Sequence, residues 1–140
     1  MSPRNKHVSL LKEAYKQWQE TKAGSAEHWL GLMTDDVQFR SLAGGAPKME
    51  FTRNSTCKQE VRDYFSRLAN QWEMIDYTID EYIAQGDRVV ALGTCCFRHK
   101  QTGKILDTPK ADFHRFRNGK ICEFFEFYDT AQAIAKATPD

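Results

Sequence analysis

Ala111-Asp-Phe-His-Arg-Phe-Arg117, Asn118-Gly119, Lys120-Ile-Cys-Glu-Phe-Phe-Glu-Phe-Tyr-Asp129 is the stretch that decides the fold. Two runs rich in aromatic and β-branched residues flank an Asn-Gly pair, the strongest short hairpin signal. Asp112, His114, Glu126 and Tyr128 stand among the aromatics, so the hairpin also holds most of the residues suited to chemistry. Whether the four share a face depends on how the turn closes, because a slip of one residue exchanges the faces of a strand.

Upstream, the pattern extends into more strands. Ile75 to Ala84 and Arg88 to Lys100 are separated by Gln85-Gly-Asp87. Ile105 to Arg117 follows the turn at Gln101-Thr-Gly103, and Lys120 to Tyr128 closes the series. Helical spacing dominates the first half. Leu11, Ala14, Tyr15 and Trp18 fall on one face of a helix over about Lys6 to Thr21, with Gly24 as its C′ residue. Ser25 is the expected cap of a short helix from Ala26 to Met33. Thr34-Asp35-Asp36 reads as a turn and Val37 to Ser41 as a strand. Ala43 to Asn54 reads as a loop or lid over the mouth of a pocket. Thr56 with Gln59 has a capping-box pattern and opens a third helix bearing Val61, Phe65, Leu68 and Trp72. Thr130 to Ala137 predicts a tail helix with Asp129 as its cap. The order is three helices with one early strand, then a four-strand antiparallel meander, an α+β plan with helices on one face of a sheet.

Composition narrows the function classes. The 140 residues are 41% hydrophobic and 28% charged with formal net charge +1, ordinary for one soluble domain and too balanced for a nucleic-acid footprint. The start lacks the apolar segment of a signal peptide, and no apolar run approaches the ~20 residues of a membrane span. The chain therefore reads as a single cytoplasmic domain over residues 1–140, without nucleic-acid or membrane partners. Cys57, Cys95, Cys96 and Cys122 have neither disulfide-framework nor zinc spacing. They read as reduced, inert thiols, with a nucleophilic Cys96 as the alternative. No metal-ligand cluster or phosphate-binding glycine loop is present, and no cofactor is expected. His28 and His99 read as solvent-facing.

The segment from Trp29 to Asp36, Gly86-Asp-Arg-Val-Val90, Thr102-Gly-Lys104, and Phe116-Arg-Asn-Gly-Lys-Ile121 followed by Phe127-Tyr-Asp129 resemble the SnoaL-like branch of the nuclear transport factor 2 (NTF2)-like superfamily. The resemblance covers about Leu10 to Ile134. It implies an NTF2-like cone, in which three N-terminal helices pack on a curved, mostly antiparallel sheet that encloses an apolar pocket. The superfamily includes ketosteroid isomerases, polyketide cyclases, epoxide hydrolases, dehydratases and non-catalytic domains, so fold alone does not assign a reaction. The base of ketosteroid isomerases matches Ser41, which cannot serve as one. The sheet aspartate of their oxyanion hole matches Asp112, and its helix tyrosine falls on Gln17. Glu126 matches the final-strand acid of the epoxide hydrolases, but their arginine–aspartate pair is absent near Thr94 and Cys96.

Two hairpin registers remain from pattern alone. A two-residue Asn118-Gly119 loop sets Phe116 opposite Ile121 and separates Asp112 and His114 from Glu126 and Tyr128. A three-residue Arg117-Asn-Gly119 loop sets Phe116 opposite Lys120 and gathers all four on one face, with Lys110 across from Glu126. The resemblance selects the second. Asp112 and His114 are then the catalytic candidates, an aspartate with a raised pKa beside a histidine able to move protons near neutral pH. The competing reading is a satisfied polar network, with Asp112 bonded to His114 or a tyrosine and Lys110 paired with Glu126. Trp18, Ser41, Trp72, Thr94, Phe116, Phe124, Glu126 and Tyr128 are the substrate-binding candidates. Trp18, Trp29, Phe39, Phe65 and Trp72 are expected to build the core and show edges in the pocket. The expected partners are an apolar or aromatic carbonyl or hydroxyl compound and a second copy of the chain across the outer sheet face. The expected chemistry is that of a cofactor-free isomerase, cyclase or dehydratase; the alternative is a non-catalytic dimerisation or interaction domain.

Overall fold

The structure, a computed structural model, describes residues 3–140, with side chains from Lys6 onward. Its elements are α1 (Pro3–Glu20), α2 (Ala26–Gly31), β1 (Met33–Ser41), α3 (Lys58–Gln71), β2 (Trp72–Gln85), β3 (Arg88–His99), β4 (Ile105–Arg117), β5 (Lys120–Phe127) and α4 (Thr130–Ala137). The five strands form one sheet in the order β1-β5-β4-β3-β2. β1 runs parallel to β5, and the other neighbours are antiparallel. This is the expected α+β plan, and its helices cover the inner face.

Several local expectations change. Thr34-Asp35-Asp36 belongs to β1, because the strand is already tied to β5 at its start: Ile121 N donates to Leu32 O at 2.7 Å. Trp72 ends α3 and begins β2 with no intervening turn. Lys22 and Ala23 take the left-handed backbone after α1, so Gly24 is not its C′ glycine. Ser25 occupies the N-cap position of α2, but its hydroxyl makes no capping bond. The box at α3 is closed by Glu60 rather than Gln59, its carboxylate accepting from Thr56 N at 2.8 Å and Thr56 Oγ at 2.9 Å. Asp129 does cap α4, accepting from Gln132 N at 2.9 Å.

The hairpin register differs from both simple alternatives. Arg117 pairs with Lys120 and Phe116 with Ile121, so the loop is the two-residue Asn118-Gly119, both residues at positive φ (52° and 80°). The three-residue loop is therefore not formed. Cys122 is then skipped, and Arg115 pairs with Glu123 and Asp112 with Glu126. This bulge resolves a conflict of parity. Ile121 and Glu126 are five residues apart and would face opposite ways in a regular strand; the extra residue turns both inward. β4 needs no such correction, since Leu106, Thr108, Lys110, Asp112, His114 and Phe116 are buried in unbroken alternation.

One glycine holds the sheet in place beside the cluster. Gly93 pairs with Ile79 on one side and Lys110 on the other. A Cβ there would stand 1.8 Å from the Thr78 carbonyl oxygen, an approach that only glycine permits.

Candidate functional site

A cavity opens between the inner sheet face and the helices. Its walls are mainly aromatic and aliphatic, including Trp18, Trp29, Phe39, Phe65, Trp72 and Phe124. Met49 and Phe51, from the segment between β1 and α3, complete the wall. The cavity volume is about 80 Å³, room for several waters or one small ligand.

One part of the wall is polar. Lys110 Nζ donates to Asp112 Oδ1 at 2.6 Å and to Tyr77 Oη at 2.8 Å, and lies 3.1 Å from Glu126 Oε1. Asp112 Oδ2 accepts from Tyr15 at 2.7 Å and Tyr77 at 2.6 Å. Glu126 Oε2 accepts from Tyr64 at 2.6 Å. Tyr128 and Ser41 join their hydroxyls at 2.6 Å beside this cluster. Four inward positions on three elements converge here: Tyr15 from α1, Tyr64 from α3, and Lys110 and Asp112 two apart on β4. The Cys122 bulge brings Glu126 to the same face.

The electrostatics differ from the raised pKa expected of Asp112 and the near-neutral titration expected of His114. Burial pushes the Asp112 carboxyl upward, but the Lys110 ammonium, His114 and hydrogen bonds outweigh it and hold it below its ordinary value. Asp112 is thus an ionised acceptor and not a raised-pKa proton donor. Burial would discharge Lys110, yet the Asp112 and Glu126 carboxylates hold it above its usual range. Burial, followed by the neighbouring carboxylate charge, keeps Tyr15, Tyr64 and Tyr77 in the hydroxyl form. Burial lowers His114 to about 4 against the pull of Asp112, so it is neutral at neutral pH. Its Nδ1 lies 3.0 Å from the Val89 carbonyl oxygen and must carry the proton. Its Nε2 lies 3.0 Å from Tyr15 Oη.

Not every sequence candidate reaches the cavity. Trp18, Trp72, Asp112, Phe124, Glu126 and Tyr128 line it. His114 is fully buried behind Tyr15, with Trp29 and Phe124 around its ring. Ser41 touches Tyr128 but is not part of the wall. Thr94 is exposed on the outer face, because Val89, Ala91, Cys95 and Phe97 form the inward series of β3. Cys95 is therefore the wall residue at this level; burial pushes its thiol up to about 12, which leaves it protonated. Phe116 is buried elsewhere, stacked on His7 with ring centroids 4.0 Å apart. Gln17 bonds Glu13 on the surface, and Tyr15 is the α1 residue that meets Asp112. His99 is 5% exposed and packs edge-on against Trp72. Lys110 sits diagonal to Glu126, not opposite it, and still pairs with it.

Tyr15, Tyr64 and Tyr77 were not among the sequence candidates. Tyr15 was visible on the apolar face of α1, and Tyr64 lies three residues after Val61, on the buried side of α3. Tyr77 is harder to read, because a register irregularity between Met74 and Asp76 breaks the alternation of β2. Among the described residues, no group of three or more His, Cys, Asp or Glu side chains is placed to hold a metal ion, and no helix is long and apolar enough to cross a membrane.

An open sheet curved around helices, with a polar cluster on the wall of an apolar cavity, defines the NTF2-like class of α+β domains. Residues 12–124 match the SnoaL-like domain, and the chain belongs to that family. No curated protein matches it. Among solved structures, an NTF2-like protein from Burkholderia xenovorans is 17% identical with a TM-score of 0.80, covering 96% of this chain and 98% of its own. A protein of ketosteroid isomerase-like fold from Catenulispora acidiphila, in complex with trimethylamine, is 18% identical with a TM-score of 0.71, covering 88% and 90%. TerC, crystallised with polyporic acid, is 18% identical with a TM-score of 0.77, covering 97% and 98%. At such identities the likeness concerns the fold.

Proposed function

We propose that this chain binds a small, largely apolar hydroxyl or carbonyl compound in the cone and that Glu126 exchanges a proton with it, without a cofactor. The observation that carries this reading is the unequal use of the two carboxylates. Asp112 accepts three hydrogen bonds from Lys110, Tyr15 and Tyr77, which fix it in place. Among the described residues Glu126 meets only Lys110 and Tyr64, and a carboxylate can accept about four bonds. Glu126 lines the cavity, so a free lone pair can meet a bound molecule there. In this scheme Glu126 removes a proton from substrate carbon or oxygen and returns it elsewhere, as isomerase, cyclase or dehydratase chemistry requires. Lys110 and Tyr64 balance the carboxylate's charge. Asp112 positions Lys110, and His114 stands behind Tyr15 without touching substrate. The ligands of TerC and of the Catenulispora protein support a binding role for a chain of this fold.

A second copy across the outer sheet face belongs to the same proposal. Phe125 and Phe127 stack there at 4.3 Å, Arg40 covers the Phe125 ring, and Phe127 stays 38% exposed. A non-catalytic binding domain is the second reading. It is favoured by Ser41, which stands where a base would be expected and is spent on Tyr128.

Deuterium exchange separates the two readings even while the substrate is unidentified. Ligands found by thermal shift would be incubated with the protein in D2O and followed by proton NMR. Enzyme function predicts exchange at one carbon position that Glu126→Gln abolishes while binding persists. Ligands that bind without exchanging would leave the non-catalytic reading, and a screen without ligands would remove the binding role as well.

A further inference from the structure

The wall of the cavity is unbalanced in charge. Lys110 brings one formal positive charge, and Asp112 and Glu126, both paired with it, bring two negative ones. All three side chains are less than a tenth exposed. The described residues lining the cavity include no other charged group. His114 is not part of this wall: it is buried behind Tyr15, where burial favours the neutral imidazole. The cluster therefore keeps one formal negative charge in an otherwise apolar wall, where an uncompensated charge is costly.

Most of its protons are already committed. Lys110 donates to Asp112 and Tyr77 and forms an ion pair with Glu126 at 3.1 Å. The single hydroxyl protons of Tyr15 and Tyr77 go to Asp112, and that of Tyr64 goes to Glu126. The open positions on Glu126 are acceptors, so a polar group that meets this carboxylate must donate. The rest of the wall suits a cation. Rings of Trp18, Trp29, Phe39, Phe65 and Phe124 surround the space, and aromatic faces attract positive charge. Lys110 already uses this property, with Nζ 5.2 Å from the centroid of Tyr77 and 6.0 Å from that of Tyr128. Trp72 supplies an independent sign of a missing molecule. It lines the cavity, is 4% exposed, and its indole Nε1–H has no partner among the described residues.

We propose that the hydroxyl or carbonyl compound bound in this cavity also carries a protonated amine on a compact aromatic or alicyclic body, its ammonium directed at Glu126. This rests on the cavity being a ligand site. The ammonium supplies donors to the open positions of Glu126 and cancels the surplus charge of the wall. An acceptor oxygen elsewhere on the ligand would satisfy Trp72.

Three probes of one size test the charge: benzylamine, benzyl alcohol and benzoate. Their affinities would be measured by titration calorimetry near pH 7.5, with NMR shifts locating the site. Benzylamine is expected to bind about tenfold more tightly than benzyl alcohol, and benzoate more weakly than either. In Glu126→Gln the advantage of benzylamine over benzyl alcohol should vanish, while benzyl alcohol keeps its affinity within about twofold. If benzyl alcohol or benzoate equals benzylamine in the unmodified protein, the ammonium proposal is overturned and the cavity remains a ligand site. If benzylamine binds but shifts only residues outside the cavity, the proposal is likewise overturned. If none of the three binds and the thermal-shift screen is also empty, the ligand-site reading fails and takes this one with it.

Discussion

At one end of the buried cluster, Asp112 is held by an ammonium and two tyrosine hydroxyls, with His114 packed behind it. At the other end, Glu126 shares the same ammonium but has one tyrosine, Tyr64, and faces the cavity. Both ends place a carboxylate beside Lys110, on directly paired positions of neighbouring strands. The difference lies in how many donors reach each carboxylate. A carboxylate with three donors is a structural anchor; one with spare lone pairs at a cavity wall can react. Removing the anchor should damage the fold, and removing the free carboxylate should damage the chemistry.

Asp112→Ala is the severest way to break the comparison. It deprives Lys110 of its shortest contact and leaves an ammonium buried beside unpaired tyrosine hydroxyls. Breaking a buried pair in this way costs about 3–5 kcal/mol. Urea unfolding would measure it, and a loss under about 1 kcal/mol would mean that Asp112 anchors nothing.

Acid should act on the same end next. His114 is lowered from 6.5 to about 4 in the folded state, chiefly by burial. The unfolded chain therefore takes up this proton first. The neutral imidazole contributes its full stability above about pH 6.5, and that contribution fades as pH falls toward 4. At about 1.4 kcal/mol per unit, the loss is about 3 kcal/mol. His7 and His99, also lowered by burial, add in the same direction. Asp112 continues the decline below its ordinary value near 3.8, because its folded pKa is depressed. Unfolding free energies measured from pH 7 to 4 should flatten in His114→Phe, and an unchanged slope there would remove His114 as the main acid sensor.

The anchor and the fold were more legible in the sequence than the reactive end. β4 alternates without interruption, so Lys110, Asp112 and His114 could be placed on one face from pattern alone. The family motifs placed the helices and the meander. β5 was ambiguous because Ile121 and Glu126 have opposite parity, and only the skipped Cys122 lets both face inward. The sequence suggested that the four hairpin residues share a face but assigned the cause to a longer loop. Charge was the other obscured quantity. A buried aspartate alone predicts a raised pKa, and the opposite outcome depends on three donors from β4, α1 and β2. No local pattern reports such a convergence. Thr94 was misplaced by one residue, which in a strand is the whole distance between the two faces.

Glu126→Gln should be milder for stability than the loss of Asp112. The amide keeps the size of the side chain; its one oxygen can accept from Lys110 while its NH2 donates to the Tyr64 oxygen, so the expected cost is about 1–2 kcal/mol. Ligand-dependent proton exchange should nevertheless disappear. A Glu126→Gln protein that unfolds as readily as Asp112→Ala would make the two ends equivalent anchors.

The finest distinction compares two tyrosines that each donate to a carboxylate. Tyr15→Phe removes a donor from Asp112 and the polar neighbour of His114 Nε2, which is fully buried away from the cavity. Tyr64→Phe removes one donor from Glu126, whose oxygens border the cavity and can be met by water. An unreplaced hydrogen bond to a buried charge is worth about 1.5–3 kcal/mol, and water can restore part of it only where there is space. Tyr15→Phe should therefore cost about 1 kcal/mol more than Tyr64→Phe, read as a lower urea midpoint at equal slope. Equal costs would mean that water does not reach Glu126, and the cavity would then be closed to the proton exchange assigned to it.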